Sequence, residues 1–115
     1  MSKLFAPLKV GRKTLNQRIA LVPMTHLRAD NHHLPLPSMK EYYGQRASVP
    51  GTLLVTEAIV ISPQHGVYQN IPGIHNSSQI AAWKEVTRTV HEYCPVLNAV
   101  HSARTDIGRT FAENS

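Results

Sequence analysis

Three short apolar runs, at residues 19–22, 53–55 and 96–100, are separated along the chain by polar or amphipathic stretches. The first two contain apolar residues only, and the third is interrupted only by Asn98. Short apolar runs bounded by proline or glycine are typical of strands that are buried on both faces, as in a parallel sheet. We therefore predict three buried strands at these positions.

The first predicted helix follows a polar, proline-bounded segment at residues 25–37, which is expected to be a loop. Ser38 can act as the N-cap, with Glu41 three residues later at the capping-box position, and the helix is expected to continue to about Ala47. The Val-Pro-Gly sequence at residues 49–51 ends it, because proline interrupts helical hydrogen bonding. This helix connects the first predicted strand to the second.

The second predicted helix begins at Ser77 or Ser78, after a loop rich in proline and glycine. Apolar side chains then recur every three to four residues, which is the spacing of a helix with one buried face. These positions are Ile80, Trp83, Val86, Val90 and Tyr93. We expect Trp83 and Tyr93 to pack in the core rather than to contact a ligand.

The order of the predicted elements indicates the fold class. Residues 8–10 and 14–15 flank a Gly11-Arg12 turn and are predicted to form a hairpin. The following order of strand, helix, strand, helix, strand favours an α/β fold with parallel pairing. By length alone, residues 1–115 suit one domain with a single hydrophobic core.

The composition excludes several classes of function. The net charge is +5, but the eight basic residues among the first 46 are scattered, without a basic run or interleaved aromatic residues, which argues against nucleic-acid binding. No apolar stretch approaches the roughly 18 residues of a membrane span, so we expect a soluble, cytoplasmic protein.

Cys94 is the only cysteine, which excludes an intrachain disulfide and suits a reducing compartment. The seven histidines show no metal-ligand spacing, so no metal site is expected.

Four segments, at residues 4–11, 16–25, 41–48 and 56–58, carry a family resemblance; they read LFAPLKVG, NQRIALVPMT, EYYGQRAS and TEA. Together they resemble the opening of the old yellow enzyme family of flavin-dependent ene-reductases. Residues 43–54 are similar to its fungal branch, in particular to the chanoclavine-aldehyde reductases of ergot alkaloid pathways. The resemblance implies FMN as cofactor, NADPH as reductant and a small enal or alkene as substrate.

The fold that the resemblance implies is a (β/α)₈ TIM barrel, which needs roughly 250 residues. A chain of 115 residues would supply an N-terminal hairpin and about the first three βα units, that is, a partial barrel. Such a piece leaves a sheet edge and an apolar sheet face uncovered. Association through this open barrel edge is therefore an expectation for the chain.

The resemblance also assigns flavin-contacting residues, at the C-terminal ends of the strands. Pro23, Met24 and Thr25 follow the first strand, and the Thr25 hydroxyl matches the family position that bonds the flavin near its C4 carbonyl or N5. Ala58, after the second strand, matches a small residue that packs against the flavin. Asn98 stands where the family usually has a glutamine, one methylene longer, that contacts the flavin pyrimidine.

The groups that would complete the reaction are not matched within the chain. In the family, the substrate-anchoring His-Asn or His-His pair, the proton-donating tyrosine and the glycine-rich phosphate site lie in later strands, beyond Ser115. The adjacent His32 and His33 do not have the spacing of that pair. We therefore expect a truncated, inactive family member that binds FMN weakly at best, and no catalytic residue is assigned.

Two alternatives remain open. The chain is an active FMN-dependent ene or aldehyde reductase if it is part of a longer polypeptide. It is a binding module if it docks on a full-length relative or another subunit. A reading frame that continues past Ser115 would favour the first alternative, and concentration-dependent association with a full-length relative would favour the second.

Overall fold

The computed structural model describes residues 2–65, 69–93 and 99–100. Two small sheets and two α-helices make up this part of the chain. The strands are β1 (Leu8–Val10), β2 (Lys13–Leu15), β3 (Ala20–Leu21), β4 (Leu53–Val55) and β5 (Ala99–Val100), the helices are α1 (Pro37–Ala47) and α2 (Ser77–Tyr93), and a 3₁₀ turn spans Pro63–His65. Neither of the helices described combines the length and the apolarity that crossing a membrane requires.

The strands β3, β4 and β5 form a parallel sheet in that order, as the alternation of elements predicted. Leu21 pairs with Leu54, and Leu54 pairs with Ala99 on its other side. One helix connects each consecutive pair of strands, so the chain contains two successive βαβ units. The described residues form an open sheet and no closed barrel, which agrees with the expected partial barrel.

β3 is shorter and more exposed than predicted. Of the apolar run at residues 19–22, only Ala20 and Leu21 lie in the ladder, while Ile19 and Val22 are 40% and 57% exposed. Among the described residues β3 pairs only with β4, and the core cluster covers only one face of the sheet. Leu21 packs against that cluster and is half-buried, whereas Ala20 is exposed. Burial on both faces was therefore a wrong prediction for this strand.

The two helices pack with β4 to form the hydrophobic core. Leu54, in the middle of β4, is 2% exposed and belongs to the same cluster as side chains of both helices. The cluster contains Met39, Tyr42, Tyr43, Ala47, Leu54, Ile74, Trp83, Val86 and Val90. Trp83 is 1% exposed, and its Nε1 donates to the Gly73 carbonyl at 3.1 Å, which satisfies its one polar atom. The predicted stripe of α2 is thus confirmed at Trp83, Val86 and Val90.

Tyr93 does not pack in the core, contrary to the prediction from its spacing. It is the last residue of α2 and is 55% exposed. Its ring lines a surface groove between the two helices, together with Lys40 and Thr89. Gly44 of α1 lets the helices approach here, because a Cβ at this position would lie 3.1 Å from Thr89 Cγ2 and 3.6 Å from Tyr93 Cε2.

β1 and β2 form the predicted antiparallel hairpin, with a loop of two residues, Gly11 and Arg12. Gly11 has a φ of 59°, which the first position of such a tight turn requires and which glycine adopts without strain. The N–H of Asn16, just after the hairpin, donates to the Gly51 carbonyl at 3.1 Å, just before β4. The hairpin is therefore attached at the amino-terminal ends of the parallel strands.

α1 begins two residues earlier than predicted, and the capping box of Ser38 and Glu41 is wrong. Leu36 occupies the N-cap position, Pro37 is the first helical residue, and no side-chain hydrogen bond caps the helix. Proline favours the first helical position because its φ is already helical and its missing N–H needs no partner there. Ser38 consequently lies inside the first turn of α1 and does not cap it.

α2 begins at Ser77 as predicted, but its cap is Asn76. The Asn76 Oδ1 accepts a hydrogen bond from the Gln79 N–H at 2.9 Å. The Gln79 side chain is fully buried; its Oε1 accepts from the His75 N–H at 2.9 Å, and its Nε2 donates to the His32 carbonyl at 3.0 Å. Gln79 thus joins the start of α2 to the loop that precedes α1.

Glu57, which follows β4, is the only carboxylate among the buried residues that the structure describes, at 1% exposure. The Tyr43 hydroxyl, from α1, donates to Glu57 Oε1 at 3.4 Å and accepts from the Glu57 N–H at 3.1 Å. Burial raises the pKa of both groups, since their charged forms lose hydration. Hydrogen bonds from the His26 N–H and from Tyr43 partly oppose the rise in the pKa of Glu57.

Replacing Gln79 with alanine should lower the free energy of unfolding by about 2 kcal/mol, because a buried polar group left without a partner costs about 1–3 kcal/mol. Urea unfolding followed by the fluorescence of Trp83, the only tryptophan, measures the change. Lys84→Ala, on the exposed side of α2, is the control and should change the free energy by less than about 0.5 kcal/mol. Equal losses in the two variants would contradict the role of Gln79.

Because its pKa is raised, Glu57 binds a proton more tightly in the folded protein than in the unfolded chain. The resulting stability is lost as the pH rises from the ordinary pKa, near 4.5, through the raised pKa of the folded state. Glu57→Gln removes this dependence. The free energy of unfolding of the variant minus that of the unmodified chain should therefore increase from about pH 4 to about pH 8, because only the unmodified chain loses the stability that its bound proton supplies. A difference that stays constant in urea titrations at the two pH values would contradict this.

Candidate functional site

The carboxyl ends of β3 and β4 meet at one edge of the sheet. The two strands are parallel, so residues 22–26 leave β3 beside residues 56–58, which leave β4. The His26 N–H donates to Glu57 Oε2 at 3.4 Å, so the two segments are in direct contact. This edge, formed by the carboxyl ends of the strands, is distinct from the open side of the sheet. The hairpin lies at the opposite, amino-terminal ends of the strands. In parallel α/β folds, ligand sites lie at the carboxyl ends.

The residues predicted to contact a flavin lie at this edge wherever the structure describes them. Pro23, Thr25 and Ala58 are exposed, and Met24 is 47% exposed. Thr25 directly precedes His26 and Ala58 directly follows Glu57, so the hydrogen bond between His26 and Glu57 joins the two segments that carry these side chains. Asn98 lies outside the described residues.

The chemistry of these side chains suits a flat, largely apolar ligand with polar edges. Pro23 and Met24 offer apolar surface, and Thr25 offers one hydroxyl. Ala58 has only a methyl group, so a planar ring can approach the end of β4. The isoalloxazine ring of FMN, which needs apolar contact and hydrogen bonds at its edges, fits this set. No group of three or more His, Cys, Asp or Glu side chains that could hold a metal occurs in the described ranges.

A cluster of aromatic and cationic side chains anchors the segment after β3 to α1. His26 Nε2 lies 3.1 Å from Tyr42 Oη, and the two ring centroids are 5.0 Å apart. The guanidinium carbons of Arg28 and Arg46 lie 4.2 and 3.6 Å from the centroid of the Tyr42 ring, within the range of cation–π attraction. The position of Thr25 is thereby coupled to α1 through the residue that follows it.

Hydrogen bonds within the loop after this segment hold its backbone in place. The Asp30 carboxylate accepts the His32 and Leu34 N–H groups at 2.8 and 2.9 Å. These backbone hydrogen bonds, led by that of Leu34, hold the pKa of Asp30 below its ordinary value. Leu27 has a φ of 56°, a left-handed conformation that is strained for a bulky side chain and that occurs directly beside the candidate site.

Glu57, Tyr43 and His26 were not predicted as part of the site. One signal for Glu57 was present in the sequence, where it is the only charged residue between Gly51 and Ser62. A carboxylate in such an apolar run either points away from the core or is buried and accepts hydrogen bonds from nearby donors. Its actual partners, an α1 hydroxyl and a loop N–H, are set by tertiary contacts.

Comparison with known proteins agrees with the resemblance seen in the sequence. The model of the NADH:flavin oxidoreductase / NADH oxidase family matches residues 3–98. A chanoclavine-I aldehyde reductase of Penicillium roqueforti is 65% identical over 91 residues, which are 79% of this chain and 25% of that protein. A Claviceps fusiformis protein named "probable inactive dehydrogenase" is 54% identical over 90 residues, which are 78% of this chain and 24% of that protein.

The fold is similar to that of a solved relative. The crystal structure of Old Yellow Enzyme from Pichia sp. aligns with a TM-score of 0.79 and 38% identity, over 86% of this chain and 25% of that chain. This chain therefore spans about a quarter of the length of the relatives it matches, and the predicted partial barrel is confirmed. The chain belongs to the NADH:flavin oxidoreductase / NADH oxidase family, that of the old yellow enzymes.

Proposed function

We propose that the edge formed by residues 22–26 and 56–58 is the first part of an FMN site in a reductase. The observation that carries the proposal is the exposed placement of Thr25 and Ala58 in the segments that follow two paired parallel strands. The family match supports it, as does the high identity to a fungal aldehyde reductase.

The proposed reaction is the reduction of a conjugated alkene or unsaturated aldehyde in the cytoplasm of a fungus, as a step of ergot alkaloid metabolism. FMN, when bound, would supply the transfer of hydride from NADPH to the substrate. The identity to a chanoclavine-I aldehyde reductase supports this choice of substrate class. None of the residues of this chain is proposed as the proton donor.

The residues of this chain would hold and orient the flavin ring. Thr25 would donate its hydroxyl near the C4 carbonyl or N5, where a hydrogen bond stabilises the reduced, anionic ring. Pro23 and Met24 would cover the ring and exclude water from it. Ala58 would let the ring approach the end of β4, and Asn98 is proposed to contact the pyrimidine edge.

Affinity for the phosphate of FMN is proposed to come from elsewhere in a complete barrel. A phosphate is commonly held by backbone N–H groups of a glycine-rich loop at a helix N-terminus. The six glycines of this chain form no such pattern. The 115 residues by themselves are therefore proposed to be inactive and to bind FMN weakly.

The isolated 115-residue polypeptide should bind FMN weakly, because it would contact the ring but not the phosphate. We expect a dissociation constant on the order of 1 mM or weaker, which corresponds to a binding free energy of about 4 kcal/mol or less. FMN fluorescence and visible absorption measure binding, and NADPH added without oxygen should leave the flavin unbleached. Micromolar binding followed by bleaching would contradict the proposed inactivity of these residues alone.

A hybrid protein tests Thr25 in a complete barrel. In this hybrid, the segment of the chain that aligns with the Penicillium roqueforti reductase replaces its counterpart in that protein. Thr25→Val should slow flavin reduction by NADPH roughly fivefold to tenfold, because one neutral hydrogen bond contributes about 1 kcal/mol to the reduced state. Stopped-flow bleaching of the flavin absorption measures the rate, and Thr25→Ser should keep most of it.

The matched control is Thr87→Val in the same hybrid. The Thr87 hydroxyl donates to the Lys84 carbonyl within α2, at 3.0 Å, so it serves the helix and not the edge. Its loss should leave the rate of flavin reduction unchanged. Equal rates for Thr25→Val and Thr87→Val would refute a flavin contact by Thr25.

A further inference from the structure

Glu57 contacts each of the elements that border the candidate site. It follows β4, its Oε2 accepts the N–H of His26 from the segment after β3 at 3.4 Å, and its Oε1 accepts the hydroxyl of Tyr43 from α1 at 3.4 Å. Its own N–H donates to the same hydroxyl at 3.1 Å. The residue is 1% exposed, so water does not compete for these contacts.

The groups that Glu57 joins directly flank the proposed flavin contacts. His26 follows Thr25 in the chain, and Ala58 follows Glu57 itself. The two carboxylate oxygens accept from different elements, so the side chain links the segment after β3 and helix α1 to the end of β4. A neutral or apolar side chain offers no equivalent pair of acceptors.

Stability alone does not explain a carboxylate at this position. Removing an acid from water costs free energy, which hydrogen bonds only partly offset, and well-packed apolar residues often replace buried charges without loss of stability. Directional contacts are what the carboxylate adds here. They hold the backbone of His26 beside the candidate site and the hydroxyl of Tyr43, whose ring belongs to the core cluster.

We infer that Glu57 is a positioning residue, which fixes Thr25 relative to Ala58 by holding the backbone of His26 and the hydroxyl of Tyr43. The inference rests on the flavin role proposed above for this edge. Glu57 itself lies behind the exposed side chains, and it acts on the ligand only through its neighbours.

Amide hydrogen exchange of the 115-residue chain, followed by NMR, tests this positioning without any bound flavin. Glu57→Gln and Glu57→Ala should each speed exchange of the His26 amide about tenfold or more, which corresponds to losing one hydrogen bond of about 1.4 kcal/mol. Tyr43→Phe keeps the ring but removes one donor to the carboxylate, and should give a smaller increase. The Val86 amide, in the middle of α2, should change much less in all three variants.

The matched control is Glu41→Gln, which makes the same chemical change on the exposed side of α1 and should leave His26 exchange unaltered. Unchanged exchange at His26 in the Glu57 variants would overturn the inference. Equal acceleration at His26 and Val86 would also overturn it, because it would show that Glu57 stabilises the whole fold and not the site.

The hybrid reductase connects the positioning to the ligand. There, Glu57→Gln should weaken FMN binding at least about threefold and change the visible spectrum of the bound flavin, while Glu41→Gln should do neither. If Thr25→Val slows flavin reduction but Glu57→Gln leaves binding and spectrum unchanged, the inference fails and the proposed function stands. If His26 exchange accelerates but neither Glu57→Gln nor Thr25→Val affects the flavin, the proposed function itself fails.

Discussion

The parallel pairing of β3 with β4 is the constraint from which the arrangement of the site follows. The pairing of Leu21 with Leu54 sets the carboxyl ends of the two strands level, so the segments that follow them leave from the same edge. Both leucines also contribute to the core cluster beneath the helices. Packing on one face of the sheet therefore aligns the strand ends. A shift of one residue in the pairing register of either strand would turn its leucine to the other face of the sheet.

Hydrophobic packing alone does not determine where the loops lie, because it is not directional. Two buried polar side chains supply that direction. Gln79 joins the start of α2 to the His32 carbonyl, and Glu57 joins the end of β4 to the His26 N–H. In both cases a side chain satisfies backbone groups of a distant loop, so the loop is held wherever the core places the side chain.

The sequence was sufficient to predict the elements whose signals are local. The hairpin depends on Gly11, and the strand at Leu54 and the helix around Trp83 show their apolar spacing directly. The errors concern tertiary neighbours: Val22 is exposed because the core covers one face of the sheet, and Tyr93 is exposed at the end of its helix. The cap of α1 differs from the prediction for a local reason, because Pro37 favours the first helical position and so places Ser38 inside the first turn.

Only part of the candidate site could be predicted from the sequence. Family resemblance indicated Thr25 and Ala58, and the alternation of elements indicated that both follow parallel strands. The contact of Glu57 with Tyr43 joins residues 14 positions apart on different elements, and no periodicity encodes such a pair. The flavin contacts predicted from the sequence therefore stay a prediction, and the buried groups behind them were found only in the fold.

Orienting a flavin ring and binding the whole cofactor are separate energetic tasks, and the role proposed for the described residues is the first. At the helix N-termini they contain, Asn76 accepts the Gln79 N–H of α2, and α1 begins with Pro37, which has no N–H to offer an anion. The charge-binding capacity of a helix N-terminus depends on free N–H groups aimed at the ligand. We therefore propose that the edge at Thr25 and Ala58 aligns a ring whose phosphate is held by other residues, so that its contribution to specificity would exceed its contribution to affinity.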